Sequence, residues 1–415
     1  MYGILYPRER ARDVERKYGK MGKTNRSMVL AAGMLLQLCA GIVYMWSVFR
    51  GPVAEYLSWD GAAAAFTSSI MLAAFVVGIV GGGRLQDKFG PRLVLIGGSI
   101  LFSLGMILTS LVTSASPTMI YLTYGVIAGL GVGVVYTTTV SVVQKWFPDR
   151  RGFATGMMVS AFGFSLVIFT PIASALLSAK GVPFTFTAIG ILVLVVCTLS
   201  SLPVVNPPAD SAFGGAAAAK GKPQRHYTTG EMLKTAQFYR IFFGMMLILP
   251  AYFILNPQFK ALGAERGLSD ALQNYLVMTT GVASAAGRLI FSWASDRIGR
   301  KNAIYLIIGV TLVGVLSLIV AQGFLFMVCV ALIAFAFGGC ASVFPALTAD
   351  NFGTKHMGLN YGCVMVGFGI AALGAPLLKN LFPPESAQTA SFVMAAALCL
   401  VALVCVVLIK KPKEA

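Results

Sequence analysis

The chain has 415 residues, of which 57% are hydrophobic and only 11% charged, with a mean hydropathy of +0.80. Soluble domains average roughly 25% charged residues, so a water-soluble core cannot use this much apolar surface and lipid is the expected solvent. The formal net charge of +17 does not point to nucleic acid, because the basic residues sit in short loops between long apolar runs and form no single patch.

In chain order, the first 26 residues are polar and hold eight Lys/Arg. The apolar run from Met28 to Phe49 is too long for the h-region of a signal peptide and reads as a first spanning helix. A spanning helix takes roughly 17–25 mostly apolar residues. Twelve segments qualify: 28–49, 61–83, 93–114, 118–141, 152–178, 182–204, 239–261, 270–293, 301–321, 323–346, 357–380 and 388–410. The long polar break 205–238 divides them into two sets of six. The expected organisation is an N-terminal segment 1–27, a bundle 28–204, a linker 205–238, a second bundle 239–410 and a tail 411–415.

Loop charge sets the expected orientation. With the N-terminus in the cytoplasm, the cytoplasmic segments hold 26 Lys/Arg and the opposite side five: Arg50, Lys180, Lys260, Arg266 and Lys379. Positive charge accumulates on the cytoplasmic side of membrane proteins, which predicts a multi-pass protein of the plasma membrane (the inner membrane in a bacterium) with both termini inside. One basic residue, Arg288, remains within a span. The seven cysteines fall in apolar runs without a CxxC pair and read as small buried hydrophobes. His226 and His356 lie in polar loops. No metal site or cofactor is expected, and no span carries a cluster with catalytic spacing, so an enzyme is not the expected class.

The two halves share motifs. Gly83-Arg-Leu-Gln-Asp87-Lys-Phe-Gly90-Pro-Arg92 follows the second span, and Trp293-Ala-Ser-Asp296-Arg-Ile-Gly299-Arg300-Lys301 follows the eighth. Trp146-Phe-Pro-Asp-Arg150-Arg151-Gly152-Phe-Ala-Thr-Gly156 and Asn351-Phe-Gly-Thr-Lys355-His-Met-Gly358-Leu-Asn-Tyr-Gly362 occupy the next matching turns. Matching motifs at matching places mark an internal repeat. Gly allows a tight reversal, and Asp can face a helix N-terminus or an arginine, a contact that holds one state of a two-state machine. A solvated basic loop explains the Lys and Arg but not the repeated Asp and Gly.

These turns and the six-plus-six arrangement resemble the major facilitator superfamily from residue 28 onward. Residues 146–156, Gly230-Glu-Met-Leu-Lys-Thr-Ala-Gln-Phe-Tyr-Arg-Ile-Phe-Phe243 and the arginine of the eighth span resemble its oxalate:formate antiporter and monocarboxylate transporter branch. The resemblance implies an all-α integral membrane protein, the major facilitator fold, with twelve transmembrane helices in two pseudo-symmetric bundles. It gives Asp87, Gly90, Arg92, Asp296, Gly299 and Arg300 the role of cytoplasmic gating motifs.

Arg288 lies eight residues before Asp296, about 12 Å from the turn at 1.5 Å per residue, near the centre of a hydrocarbon layer whose half-thickness is roughly 15 Å. No acid falls at similar depth in the spans. A guanidinium there either grips a carboxylate in two-point fashion or snorkels to the interface and backbone carbonyls. The resembling families bind substrate carboxylate with an arginine at this position. By register with them, Tyr44, Tyr124, Phe162, Phe337, Met365 and Phe368 form the pocket, and Asn256, before Pro257, contributes to it or to an outer gate. Oxalate:formate antiporters add a lysine midway along helix eleven, where this chain has Phe368. Animal monocarboxylate carriers place an acid one turn before the arginine, where this chain has Ser284, and a lysine in helix one, which has no cation here before Arg50.

One cation in an apolar pocket suits a monoanion such as lactate or pyruvate better than a dianion. The expectation is a monomeric transport unit that carries a small carboxylate with a proton by alternating access. The alternatives are an anion exchanger of the oxalate:formate type and, from another class, a transporter-like membrane sensor.

Overall fold

The computed structural model describes residues 26–147, 151–207, 226–256, 259–383 and 387–410. Most of the basic N-terminal segment, the centre of the linker, Asp149 and Arg150, Pro257 and the tail from 411 lie outside the described residues.

Among the described residues, twelve long helices follow one another. α1 (Arg26–Tyr56) tightens into a 3-10 stretch at Gly41–Met45, is followed by α2 (Gly61–Phe89) and α3 (Pro91–Thr109), and α4 (Tyr121–Trp146) opens on a π-helical stretch at Tyr121–Ala128. The stretch Arg151–Ser201 is two helices, α5 (151–180) and α6 (182–201), broken at Gly181, whose φ of 75° no L side chain adopts readily. α7 (Ala236–Phe253) is interrupted before Pro250, which lacks the N–H needed to continue the ladder. The helix ends at Phe253, ahead of Asn256, and Pro257 lies outside the described residues. α8 (Asp270–Ile298), α9 (Arg300–Leu318), α10 (Gly323–Phe352), α11 (Met357–Gly374) and α12 (Ala387–Val407) complete the set.

Among the described residues ten stretches are long and apolar enough to cross a membrane, the α5–α6 pair counting as one, and α8 is not among them. The reason is its polar face. Thr280, Ser284, Arg288, Ser292 and Ser295 are buried, while Tyr275, Val282, Ile290 and Trp293 are exposed. α8 thus turns polar side chains toward protein and apolar ones toward the lipid side, a helical periodicity that a mean over all faces conceals.

The halves repeat each other down to backbone contacts. Gly78 of α2 packs on the carbonyl of Leu130 in α4, and its counterpart Gly287 of α8 packs on the carbonyl of Phe335 in α10. Gly133 of α4 meets the Phe75 carbonyl, and Gly338 of α10 meets that of Ser284. Between halves, Gly156 and Gly163 of α5 lie on Ser292 and Ala285 of α8, while Gly362 and Gly369 of α11 lie on Val80 and Val76 of α2. Small residues let helix backbones approach where lipid supplies no hydrophobic drive between helices. On this correspondence the α2 counterpart of Arg288 is Ile79.

Candidate functional site

The α5–α8 and α2–α11 seams enclose the site. α8 is held at Arg288 through its main chain: Ser342 Oγ of α10 donates to the Arg288 carbonyl at 3.1 Å. Gly156 stands against that same carbonyl, and a Cβ on Gly163 would lie 2.9 Å from Arg288 Nη1. A side chain at 163 would also meet the Ala285 main-chain nitrogen at 2.9 Å, so Gly163 of the first half lets α5 close on α8 beside the cation.

Arg288 is 1% exposed, and its Nε and Nη1 have no hydrogen-bond partner among the described residues. Its guanidinium carbon stands 5.3 Å from the Phe162 ring centroid, a cation–π contact. Tyr44, Tyr136, Tyr252 and Tyr361 are all within electrostatic reach of it. A small cavity of about 10 Å³ brings Arg288 together with Tyr44, Phe162, Met365 and Phe368, all expected from the sequence. Phe75, Tyr136, Met245, Ala341 and Tyr361 also line it. Ligand pockets commonly enclose roughly 300–1,000 Å³, so in this conformation the rings are drawn in around the cation and leave no room for a solute.

Phe337 adjoins this cavity without lining it: it stacks on Tyr252 at 3.9 Å, with Tyr44 edge-on at 5.9 Å. The three rings form one cluster that meets the cavity at Tyr44. Tyr124 lies elsewhere, among Trp46, Phe49 and Phe186, and Asn256 does not line the cavity. The depth argument that centres Arg288 separates the two α4 tyrosines. Counted back from Trp146, Tyr136 is about 15 Å deep and Tyr124 about 33 Å, near the opposite surface. Tyr361 carried a weaker signal, standing within the second-half motif Asn351 to Gly362.

The face at the Asp87 and Asp296 turns is closed by polar contacts. Gly90 and Gly299 turn the chain with φ of 81° and 90°. Asp296 Oδ2 accepts the Phe153 N–H at the start of α5 at 2.9 Å, while its Oδ1 pairs with Arg300 at 2.5 Å. Arg300 also pairs with Asp350 at 2.9 Å and donates to Ser295 Oγ at 2.6 Å. The first half differs: Asp87 feels Lys145 and His356, while neighbouring Gln86 donates to Ser141 Oγ at 2.6 Å and Gly83 packs against Gly358. Arg92, on the same turn, is half-buried at the start of α3. Among the described residues no group of His, Cys, Asp and Glu is placed to hold a metal.

Two pseudo-symmetric helical halves meeting at a central buried site are the architecture of a membrane transporter. The Major Facilitator Superfamily model matches residues 29–253 and again 241–415, and the chain belongs to that superfamily. It is 29% identical over 376 residues to the oxalate:formate antiporter of Oxalobacter formigenes, covering 87% of each chain. It is 29% identical over 381 residues to monocarboxylate transporter 13 of Rattus norvegicus, covering 90% of this chain and 86% of the relative. The uncharacterized MFS-type transporter YhjX of Escherichia coli (strain K12) is 27% identical over 357 residues, with coverage of 84% and 86%. The solved structure of the proton:xylose symporter XylE, 15% identical, shares the fold with a TM-score of 0.72, covering 94% of this chain and 97% of that one.

Proposed function

We propose that the protein is a secondary transporter of small monocarboxylates of the lactate and pyruvate type, with Arg288 as the anion anchor. The observation that carries this reading is the buried guanidinium with unpartnered N–H groups facing a small aromatic cavity. A carboxylate supplies two oxygens in the geometry a guanidinium fork accepts, and the nearby phenols of Tyr136 and Tyr361 can donate to it or to an adjoining keto or hydroxyl oxygen. Phe368, where the antiporter branch carries a second cation, leaves one positive charge in the cavity. One charge neutralises a monoanion and leaves a dianion half-compensated.

Alternating access follows from the same parts. The anion, held by α8 and by phenols of both halves, draws the halves together over the midplane. The Asp296–Phe153 contact holds the cytoplasmic side closed and breaks when the halves rock the other way. Coupling is by proton symport, since a monocarboxylate and a proton together move no net charge. In liposomes holding purified protein, an inward pH gradient is expected to drive lactate or pyruvate uptake, and Arg288→Ala to abolish it. Uptake indifferent to the gradient would remove symport. Retained transport in the variant would remove the anchor.

The 29% identity to an oxalate:formate antiporter favours a second reading, exchange of carboxylates. It demands a counter-anion inside the liposome, and no net uptake should occur without one.

A further inference from the structure

A second concavity lies far from Arg288, on the outer face of the first half. It is a groove of about 440 Å³ lined by Leu85 and Phe89 of α2, Leu93, Gly97 and Leu101 of α3, and Val134 of α4. It exists because two consecutive residues lack side chains. A Cβ on Gly97 would meet nothing within 4 Å, and one on Gly98 would lie 2.7 Å from Val134 Cγ1. Counted from Gly90 and Gly299, the counterparts of Gly97 and Gly98 in the second half are Leu306 and Ile307. The repeat therefore fills in one half the space it leaves open in the other, and shared transport machinery does not explain that.

The groove's mouth is basic. Arg84 and Lys88 are exposed on the last turns of α2, and the Lys88 ammonium stands 5.2 Å from the centroid of Phe89, which lines the groove. Arg92 follows on the same turn, so residues 84–92 carry three cations and one carboxylate, that of Asp87. From Leu93 to Leu101 the groove runs about 12 Å along α3, close to the roughly 15 Å depth of one leaflet's hydrocarbon. Charged side chains near a membrane surface attract anionic lipid, while an apolar slot of leaflet depth accepts an acyl chain.

We infer that this groove is a binding site for one phospholipid with a net-negative headgroup, its acyl chain between α2 and α3 and its phosphate at Arg84 and Lys88. A bound lipid bridges the second and third helices across the Gly90 turn, next to Asp87.

Native mass spectrometry of the purified full-length protein with phosphatidylglycerol or phosphatidylcholine tests this. The wild type is expected to hold one phosphatidylglycerol at least fivefold more persistently than phosphatidylcholine. Gly97→Leu, which fills the groove, should lose that adduct, and Arg84→Gln with Lys88→Gln should bring the two lipids level. Equal retention of both lipids by the wild type, or an unchanged phosphatidylglycerol adduct in the double charge variant, overturns the proposal. The charge variant changes only exposed side chains, so it decides the matter even if Gly97→Leu fails to fold.

Discussion

At the scale of single residues, Arg288 is distinguished less by being charged than by what surrounds it. A central arginine costs about 2.5–3.5 kcal/mol on insertion scales, and its fork meets rings and phenols in place of an acid. Arg288→Lys keeps the charge but loses the planar two-point grip. Its KM for a monocarboxylate should rise roughly 10- to 100-fold, the equivalent of one charge-assisted hydrogen bond of about 1.5–3 kcal/mol, as measured by initial uptake rates. Phe368→Lys reverses the argument about substrate charge. It puts a second cation in the cavity, so oxalate should raise the melting temperature of the variant and leave the wild type unmoved. A variant that ignores oxalate would mean that position 368 does not select substrate charge. Tyr361→Phe, which removes one phenol and little volume, should raise KM about tenfold with folding intact.

At the scale of elements, the α5–α8 seam joins binding to closure. It runs from Asp296 and the α5 N-terminus, past Gly156 and the Arg288 carbonyl, to Gly163 and Ala285. Asp296→Asn keeps an acceptor for the Phe153 N–H but loses the charge that pairs with Arg300. A cysteine placed at Ser160 should then be labelled several-fold faster from the Asp296 side, and an unchanged rate would show that this contact does not hold the gate. Gly287→Ala presses a methyl onto the Phe335 carbonyl. Overpacking of this kind costs about 1–3 kcal/mol, which a lower unfolding temperature would register. The elements were legible in the sequence to different degrees. Long apolar runs marked most spans, because lipid admits few alternatives to a closed hydrogen-bond ladder. Boundaries moved where local chemistry intervened: α1 runs on to Tyr56, and α7 is interrupted before Pro250, ahead of Asn256.

At the scale of the molecule, the repeat was legible from its turns, since Asp-x-x-Gly reversals carry their constraint locally. The pocket was legible only in part. Arg288, Tyr44, Phe162, Met365 and Phe368 converge because their depth and register place them together. Tyr124 does not, since a tyrosine's identity says nothing of its depth. Depth along α4 could have favoured Tyr136 over Tyr124, but which aromatics line the cavity depends on neighbours from other helices, which one strand of sequence does not display. Symmetry sharpens the same point. Contacts that hold the bundle together recur in both halves, from Gly78 to Gly287 and from Gly133 to Gly338, while the cation and the outer groove each occur in one.

The sealed surroundings of Arg288 carry a kinetic consequence. A carrier returning without cargo must take the bare guanidinium through the closed state, and an uncompensated buried charge costs several kcal/mol even after relaxation. Where Arg288 anchors a carboxylate as proposed, cargo neutralises that charge. Each 1.4 kcal/mol is worth a factor of ten in rate, so the unloaded return is the slow limb of the cycle. Vesicles preloaded with the same carboxylate should therefore take up labelled substrate at least tenfold faster than empty ones, whatever drives net flux.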